Sequence, residues 1–442
     1  MKKYNLNENY EFVGLWSTPK DPEQLIPGVL RYNAETGINL ELEGSFSGEE
    51  FDIIHGHASG VNITVVDCFS TSWTMNFGFE GMYAPSKIVG NKIIVGAVVE
   101  SLDELILEHV VLETSDIKPW SKLSGFSKPL YDDINERRKF SLTYNLPDEK
   151  IFYSDEEVNI GLNCSLNFPS TFPLSEDIVF RESNSFKITN KVSKGGLFHS
   201  AHVDAIRKFI SLATRSEVSC RSIKMKLKGR DSYAFILTNL IPINLDYKAK
   251  KLSDYDMFFT LTEVEDRIQE LYSKWFLFYC KSPESVNLYF YKTKGWQHDV
   301  FLTKAQALEE AHRQINPGTN KWGYQSRIES LFNKFCNVMV HTGEAKAFSN
   351  TVKDHRDYYS HWFEKKRDKV SNGLILDYLS RDVNLLLEMI FLNVIGFDEN
   401  EILKIVENCM DYRSYLEIGR EHYPSNSERR HLWASTSPIE NM

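Results

Sequence analysis

The hydrophobic pattern of this chain changes near residue 253, and that change constrains the fold more than any other feature. Before it, short runs alternate between apolar and polar residues or are rich in β-branched residues, and glycine-containing turns separate them. Examples are residues 38–43, 61–66, 92–99 and 233–238. Such runs are typical of the strands of a sandwich or barrel. After it, apolar residues recur about every 3.6 positions, which predicts helices.

We therefore predict a multi-domain protein with a mainly β, sandwich- or barrel-like N-terminal domain (1–252) and an all-α C-terminal helical bundle (253–415). One helix, 202–214, interrupts the β part. The bundle has five or six helices, and whether the fourth is broken stays open. Their predicted ranges are 261–280, 300–315, 321–340, 345–369, 374–395 and 399–409. The polar tail 416–442 is expected to be loosely ordered.

The charge balance excludes a protein covered with nucleic-acid-binding charge. The chain has 51 Lys and Arg against 61 Asp and Glu, a formal net charge of −10. Binding to a polyanion therefore requires a local basic patch. No apolar stretch follows Lys2 and Lys3, and no run of about 18 apolar residues occurs, so we expect a cytoplasmic protein that does not enter a membrane.

Several common kinds of site have no support in the sequence. The chain has no P-loop, no Rossmann glycine motif, no H-E-x-x-H and no G-x-S-x-G. Its six cysteines are dispersed without a C-x-x-C pair, so we expect reduced thiols. His55 and His57 flank a glycine and have no companion ligand at a usual spacing, so a turn between strands is favoured over a metal site. We predict neither a metal nor a cofactor.

Residues 353–361 (KDHRDYYSH) carry the pattern R-x-x-x-x-H, with Arg356 and His361 at its ends. Arginine is a permanent planar cation that binds phosphate through two N–H donors. Histidine gives and takes protons near neutral pH. Asp357 and His361 are four residues apart, so on a helix the carboxylate can orient the imidazole. Arg356 and His361 lie roughly 140° apart around one straight helix. Either the helix breaks, or a second subunit completes the site.

These residue types fit the cleavage of RNA by its own 2′-hydroxyl group. The reaction needs a base for that hydroxyl, an acid for the leaving 5′-oxygen, and a cation for the charge of the transition state. Histidine supplies one of the first two roles and arginine supplies the third, without a metal. DNA lacks the attacking hydroxyl and should remain intact.

The same segment also admits less specific interpretations. The R-x-x-x-x-H pattern is common by chance, and the nearby aromatic residues suit a core or an interface. The run from Lys365 to Arg367 suits a solvated face as well as contact with the RNA backbone. We take as candidate RNA-binding residues Lys353, His355, Lys365, Lys366 and Arg367.

Residues 356–361 (RDYYSH), late in an all-α domain, resemble the signature of HEPN ribonucleases. Residues 302–313 (LTKAQALEEAHR) resemble a helix of the ApeA-like HEPN subgroup. The N-terminal part resembles the ApeA N-terminal domain through segments that occur in order. These are 14–19 (GLWSTP), 27–32 (PGVLRY), 40–46 (LELEGSF), 53–56 (IIHG) and 61–64 (VNIT). The resemblance spans residues from about 10 to about 410.

This resemblance implies an antiphage abortive-infection protein. It implies an N-terminal domain that senses a phage-derived trigger and restrains a metal-independent HEPN ribonuclease, with host RNA, transfer RNA among the candidates, as substrate. HEPN ribonucleases pair as homodimers across one cleft, and a higher assembly stays open. Arg356 and His361 are then catalytic, Asp357 fills the polar position after the arginine, and Glu309, His312 and Arg313 have packing or RNA-contact roles.

Two further hypotheses stay open. The first is a non-catalytic HEPN module that binds a nucleotide or a partner, beside a β-domain that senses a ligand. The second is a toxin held by a separate antitoxin, which would be lethal when expressed alone.

Overall fold

A computed structural model describes residues 3–71, 86–102, 105–127, 130–131, 140–167, 179–192, 200–241, 252–291 and 295–415. The chain divides into two compact units. The first contains residues up to 207 together with 218–251, and the second contains 208–217 and the chain from 252 onward. The tail predicted at 416–442 lies outside the described residues.

The first unit is built from β-strands, as predicted, with one helix and the first part of another, whose residues from 208 onward belong to the second unit. The helices are α1 (Ile117–Ser121) and α2 (Ser200–Thr214), of which α2 confirms the predicted helix 202–214. The strands are β1 (Tyr10–Thr18), β2 (Asp21–Asn33), β3 (Gly37–Leu42), β4 (Glu50–Ala58), β5 (Val61–Ser70), β6 (Ser86–Gly90), β7 (Lys92–Val95), β8 (Leu107–Thr114), β9 (Leu130–Tyr131), β10 (Phe140–Ser141), β11 (Lys150–Ser154), β12 (Val158–Asn167), β13 (Arg181–Asn190), β14 (Cys220–Leu227) and β15 (Tyr233–Thr238).

Six of these strands close into a barrel in the order β5-β4-β1-β2-β3-β6. The ring closes because β6 pairs with both β3 and the end of β5, where Phe69 faces Val89. Alternate residues of β3, namely Ile38, Leu40 and Leu42, are buried, which is the period-two pattern of a strand with one face against a core. The barrel form of the predicted β-domain is thus confirmed.

The strand β5 joins the barrel to the rest of the sheet. Its residues 63–66 pair with β7, whereas Phe69 and Ser70 pair with β6. Asp67 lies between these two parts with a φ of 54°, in the left-handed region that aspartate tolerates better than most residues do. The strand therefore changes neighbours at Asp67. From β7 the sheet continues through β15, β14, β8, β13, β12 and β11.

The histidine pair considered as a metal site lies within β4, so the predicted turn is wrong. His55 Nε2 lies 2.8 Å from the Val99 carbonyl oxygen, and His57 Nδ1 lies 2.9 Å from Asn62 Oδ1. The glycine between them has a packing role, because a Cβ on Gly56 would lie 2.2 Å from the Trp16 ring.

The second unit is helical, as predicted. Its helices are α3 (Leu261–Val264), α4 (Ile268–Lys281), α5 (Pro283–Phe290), α6 (Gln297–Ile315), α7 (Tyr324–Lys334), α8 (Ala345–His361), α9 (Gly373–Ile395) and α10 (Glu399–Asn408). Among the described residues, none of the helices is both long and apolar enough to cross a membrane.

The core of the second unit lies around α6 and α9, which pack against each other. Phe301 and Leu308 on α6 and Leu386 on α9 are fully buried. The helices α5, α7 and α8 also pack against α6, so α6 holds the elements of the site described below. The sequence did not predict α5, whose short span begins with a proline at its first position.

Candidate active site

The helix α8 carries Arg356 and His361 without interruption. Its buried side chains include Phe348, Val352 and His355, at spacings of four and three residues, so one stripe of the helix faces the core. Because no break separates Arg356 from His361, the two side chains leave the helix roughly 140° apart. The structure therefore excludes a helix break between Arg356 and His361, which was one of the two predicted ways to bring them to one phosphate.

The Arg356 guanidinium is held by three groups. Its Nη2 donates to Glu309 Oε2 on α6 at 3.3 Å, and its Nη1 donates to Asp357 Oδ1 at 3.3 Å. Its central carbon lies 4.9 Å from the centre of the Tyr324 ring at the start of α7, a cation–π contact. Two of the five N–H groups thus donate to carboxylates, and three have no partner among the described residues.

Asp357 is bound by cations rather than by His361. Lys366 Nζ lies 2.6 Å from Asp357 Oδ2, and Arg356 contacts the other oxygen. Burial raises the pKa of this carboxyl, but the hydrogen bonds and charges of Lys366 and Arg356 outweigh burial and hold the pKa below its ordinary value. Within the described part of the chain, Asp357 makes no ion pair with His361. The expected orientation of the imidazole by Asp357 is therefore not formed.

His361 is exposed in the last turn of α8. Its imidazole makes no hydrogen bond or ion pair to any described residue, and its centre lies 5.0 Å from that of the Phe363 ring. The ring nitrogens are thus accessible to a ligand. Within one chain, an exposed imidazole and a half-buried guanidinium point in different directions.

The prediction that His355 contacts RNA is wrong, because its side chain is fully buried. Its Nδ1 lies 2.8 Å from the Thr351 carbonyl oxygen and so donates, and its Nε2 accepts from the Ser371 N–H at 2.9 Å. Burial lowers the pKa of His355 to about 4, against the smaller raising effects of Thr351 and Asp354. Since the Tyr359 hydroxyl donates to the Ser371 carbonyl oxygen at 2.8 Å, Ser371 is held to α8 on both sides.

The remaining candidate RNA-binding residues differ in whether a carboxylate already pairs with their charge. Lys365 is exposed and Lys353 partly so, and neither has an ion-pair partner among the described residues. Arg367 forms an ion pair with Glu364, at 3.0 Å.

Lys366 forms ion pairs with two carboxylates. It lies 2.9 Å from Asp354 and also contacts Asp357, so its charge is balanced. Its main structural role is to hold residues 364–369, a 3-10 turn, against α8.

Comparison with protein families covers most of the chain. A model of the ApeA N-terminal domain 1 matches residues 11–275, and a model of the Apea-like HEPN domain matches residues 289–401. The chain belongs to the ApeA-like family. No curated protein and no solved structure matches it.

The match to the HEPN domain supports a nuclease-like role in antiphage defence in general terms, because HEPN domains are generally ribonucleases. The matched range contains Glu309, Tyr324, Arg356 and His361, so these contacts of Arg356 all lie within the HEPN domain. The N-terminal ApeA match spans the barrel and the extended sheet.

Two residues of the HEPN site were not singled out for it from the sequence. Glu309 was given only a packing or RNA-contact role, but it binds Arg356 and also Arg313 at 2.8 Å. A signal was present, because Glu309 lies four residues after buried Ala305, on an apolar stripe where a carboxylate needs a cation. Nothing in the sequence around Tyr324 indicated its contact with Arg356.

Proposed function

We propose that this protein is a metal-independent endoribonuclease that cuts host RNA during phage infection. The observation that carries the proposal is the arrangement of the R-x-x-x-x-H ends on α8. The guanidinium is fixed at one point of the helix and keeps three N–H groups that no described residue binds. The exposed imidazole lies five residues later and makes no hydrogen bond to a described residue.

Arg356 would stabilise the charge that develops on the phosphate in the transition state. Contacts with Glu309, Asp357 and the Tyr324 ring fix the orientation of the guanidinium before substrate binds, which favours electrostatic stabilisation without reorganisation. The remaining N–H donors suit the phosphate oxygens.

His361 would transfer the protons. One imidazole removes the proton of the 2′-hydroxyl, whose oxygen attacks the adjacent phosphorus. The bond between phosphorus and the 5′-oxygen breaks, and a protonated imidazole gives that oxygen its proton. The products are a 2′,3′-cyclic phosphate and a 5′-hydroxyl. DNA has no attacking hydroxyl and is not cut.

A second copy of the chain would complete the site. On one unbroken helix, Arg356 and His361 leave roughly 140° apart, so one α8 does not aim both at a single phosphate. In a homodimer whose α8 helices face each other across a cleft, each phosphate meets side chains from both protomers. We propose this homodimer, acting in the cytoplasm, with transfer RNA as a candidate substrate and a phage-derived trigger acting on the N-terminal domain.

Incubating the purified full chain with total RNA tests the proposal. We expect fragments that end in 2′,3′-cyclic phosphate with the wild-type protein, and none with His361→Ala. Intact RNA under all conditions, including added phage lysate, would favour the non-catalytic binding module.

A further inference from the structure

Aromatic side chains gather at the C-terminal end of α8. Trp362 is at their centre, and its ring centre lies 5.5 Å from that of Tyr358 and 6.0 Å from that of Tyr359. His298 on α6 stacks on Tyr359 at 5.2 Å and meets Trp362 at 5.7 Å. We call His298, Tyr358, Tyr359, Trp362 and Phe363 the aromatic cluster. Its inner members support Trp362 from α6 and from α8, so its position is fixed.

The backbone at Trp362 adopts a strained conformation. Its φ is 51°, in the left-handed region, where glycine or asparagine usually ends a helix. A bulky residue there is a rare conformation, and such strain is concentrated at functional sites. The cap directs the chain away from α8 immediately after His361.

The outer rings of the aromatic cluster face solvent beside the proposed catalytic imidazole. Trp362 is 59% exposed and Phe363 is 51% exposed. Phe363 contacts the His361 ring, with the two centres 5.0 Å apart. A large apolar surface left in water next to a catalytic side chain indicates a ligand that covers it.

The charges next to these rings favour a polyanion as that ligand. Residues 364–369 contain four basic and two acidic residues. Lys365 and Lys369 are exposed and, within the described part of the chain, have no ion-pair partner. Two copies of this turn facing each other would repel, whereas a phosphate backbone would be attracted.

We propose that Trp362, assisted by Phe363, stacks on an unpaired base next to the phosphate that is cut. Trp362 would thus be a substrate-binding residue beside His361, which needs a base with a free face. Aromatic side chains bind single strands by this means with little sequence preference. The inference rests on the proposed ribonuclease function and adds a substrate-binding residue to its site.

Binding of a non-cleavable strand tests the stacking directly. The probe is a fluorescein-labelled oligonucleotide with 2′-O-methyl groups, which has no free 2′-hydroxyl to attack. Its anisotropy is followed as a single strand and as a duplex with its complement. The variant Trp362→Asn removes the ring and keeps a residue that tolerates the left-handed conformation. Trp362→Phe retains a ring, and Tyr255→Ala removes an equally exposed aromatic residue elsewhere in the second unit.

We expect Trp362→Asn to weaken binding of the single strand by about 10-fold to 100-fold, the range for loss of one stacked base. Trp362→Phe should lie within a few-fold of wild type, and Tyr255→Ala should equal wild type. Duplex binding should not change in any variant. Unchanged affinity of Trp362→Asn for the single strand would overturn the proposal.

Sedimentation of the same proteins tests the alternative that a second copy of the chain, rather than RNA, covers Trp362. If wild type sediments as a dimer and Trp362→Asn as a monomer, Trp362 belongs to a protein interface and the stacking proposal is wrong. Cleavage of total RNA is measured independently. Loss of single-strand affinity in Trp362→Asn, together with a wild type that cuts no RNA, would retain the stacking and reject the nuclease. Cleavage of RNA by wild type, together with unchanged single-strand affinity in Trp362→Asn, would retain the nuclease and reject the stacking.

Discussion

Glu309 on α6 and Arg356 on α8 are joined across the helical unit, with Oε2 and Nη2 3.3 Å apart. The arginine of the R-x-x-x-x-H pattern is therefore fixed by a helix that lies about 47 residues earlier in the chain. Since α6 also packs on α9, the orientation of the guanidinium depends on the core of the domain and not on α8 alone.

Replacing Arg356 by lysine should abolish most of the activity. A lysine keeps the charge, but its compact ammonium group lacks the planar fork that lies over the Tyr324 ring and presents two parallel N–H donors to phosphate. We expect kcat/KM on a fluorogenic RNA oligonucleotide to fall by roughly 10²-fold or more. The control is Arg381→Lys, an exposed arginine paired with Asp377. Near wild-type activity of Arg356→Lys would argue against a role for the fork.

Replacing His361 by alanine should lower the cleavage rate by roughly 10²–10⁴-fold if its imidazole transfers protons. Folding should be unaffected, because the side chain is exposed and makes no hydrogen bond to the described residues. The matched control is His57→Ala, an exposed histidine of the β-barrel. Toxicity of the His361 variant at the wild-type level in cells would contradict the assignment.

Cleavage should continue in excess EDTA. The proposed reaction takes its base and acid from imidazole and its positive charge from guanidinium, so no step needs a metal ion. The measurement compares initial rates before chelation, after chelation, and after addition of Mg²⁺ or Mn²⁺. Activity that is lost on chelation and restored by metal would show that the proposed mechanism is wrong.

The free energy of unfolding of the helical second unit should fall as the pH falls from about 6.5 towards 4. His355 has a pKa of about 4 in the folded protein, mainly because of burial, against about 6.5 in an unfolded chain. Between these values the unfolded state binds more protons, so the free energy of unfolding rises with pH and is full above about 6.5. Urea midpoints at pH 5 and 7.5 measure the difference.

The variant His355→Gln separates the contribution of this side chain, because glutamine does not titrate. Its urea midpoints should depend less on pH than those of wild type. Some dependence should remain from His312, whose pKa burial and the neighbouring Arg327 also lower to about 4. An identical pH dependence in His355→Gln and wild type would refute the role assigned to His355.

The two neighbouring lysines Lys365 and Lys366 should behave differently. Lys365→Ala should reduce the slope of log affinity against log salt by about 1, because Lys365 is exposed and no described carboxylate competes with phosphate for its charge. Lys366→Ala should leave the slope nearly unchanged and lower the thermal stability, because it removes ion pairs with Asp354 and Asp357. Equal slopes for both variants would contradict this distinction.

The sequence predicted the two kinds of unit because each period reports a local geometry. Alternation predicted the strands, and the 3.6-residue period predicted most helices. It did not decide between a sandwich and a barrel, because closure depends on the pairing of β6 with the end of β5 and on the left-handed conformation of Asp67. Neither is visible in hydrophobic periodicity.

The site was predicted in part for a similar reason. Residue type and spacing indicated Arg356 and His361. They did not predict the contacts that residues of other elements make with this helix. Asp357 binds Lys366 from the 3-10 turn that follows the helix, and the i, i+4 rule favoured His361 instead. The burial of His355 was foreseeable, because it follows Phe348 and Val352 by seven and three residues on one stripe.

Closure of the barrel also leaves the described sheet with a single open border. At one end β6 is bonded on both sides, so among the described strands only β11 (Lys150–Ser154) ends the sheet with unpaired backbone groups. A terminal strand of this kind is where foreign chains attach and fibrils begin. With five residues and a lysine at its start, β11 offers little length for such attachment.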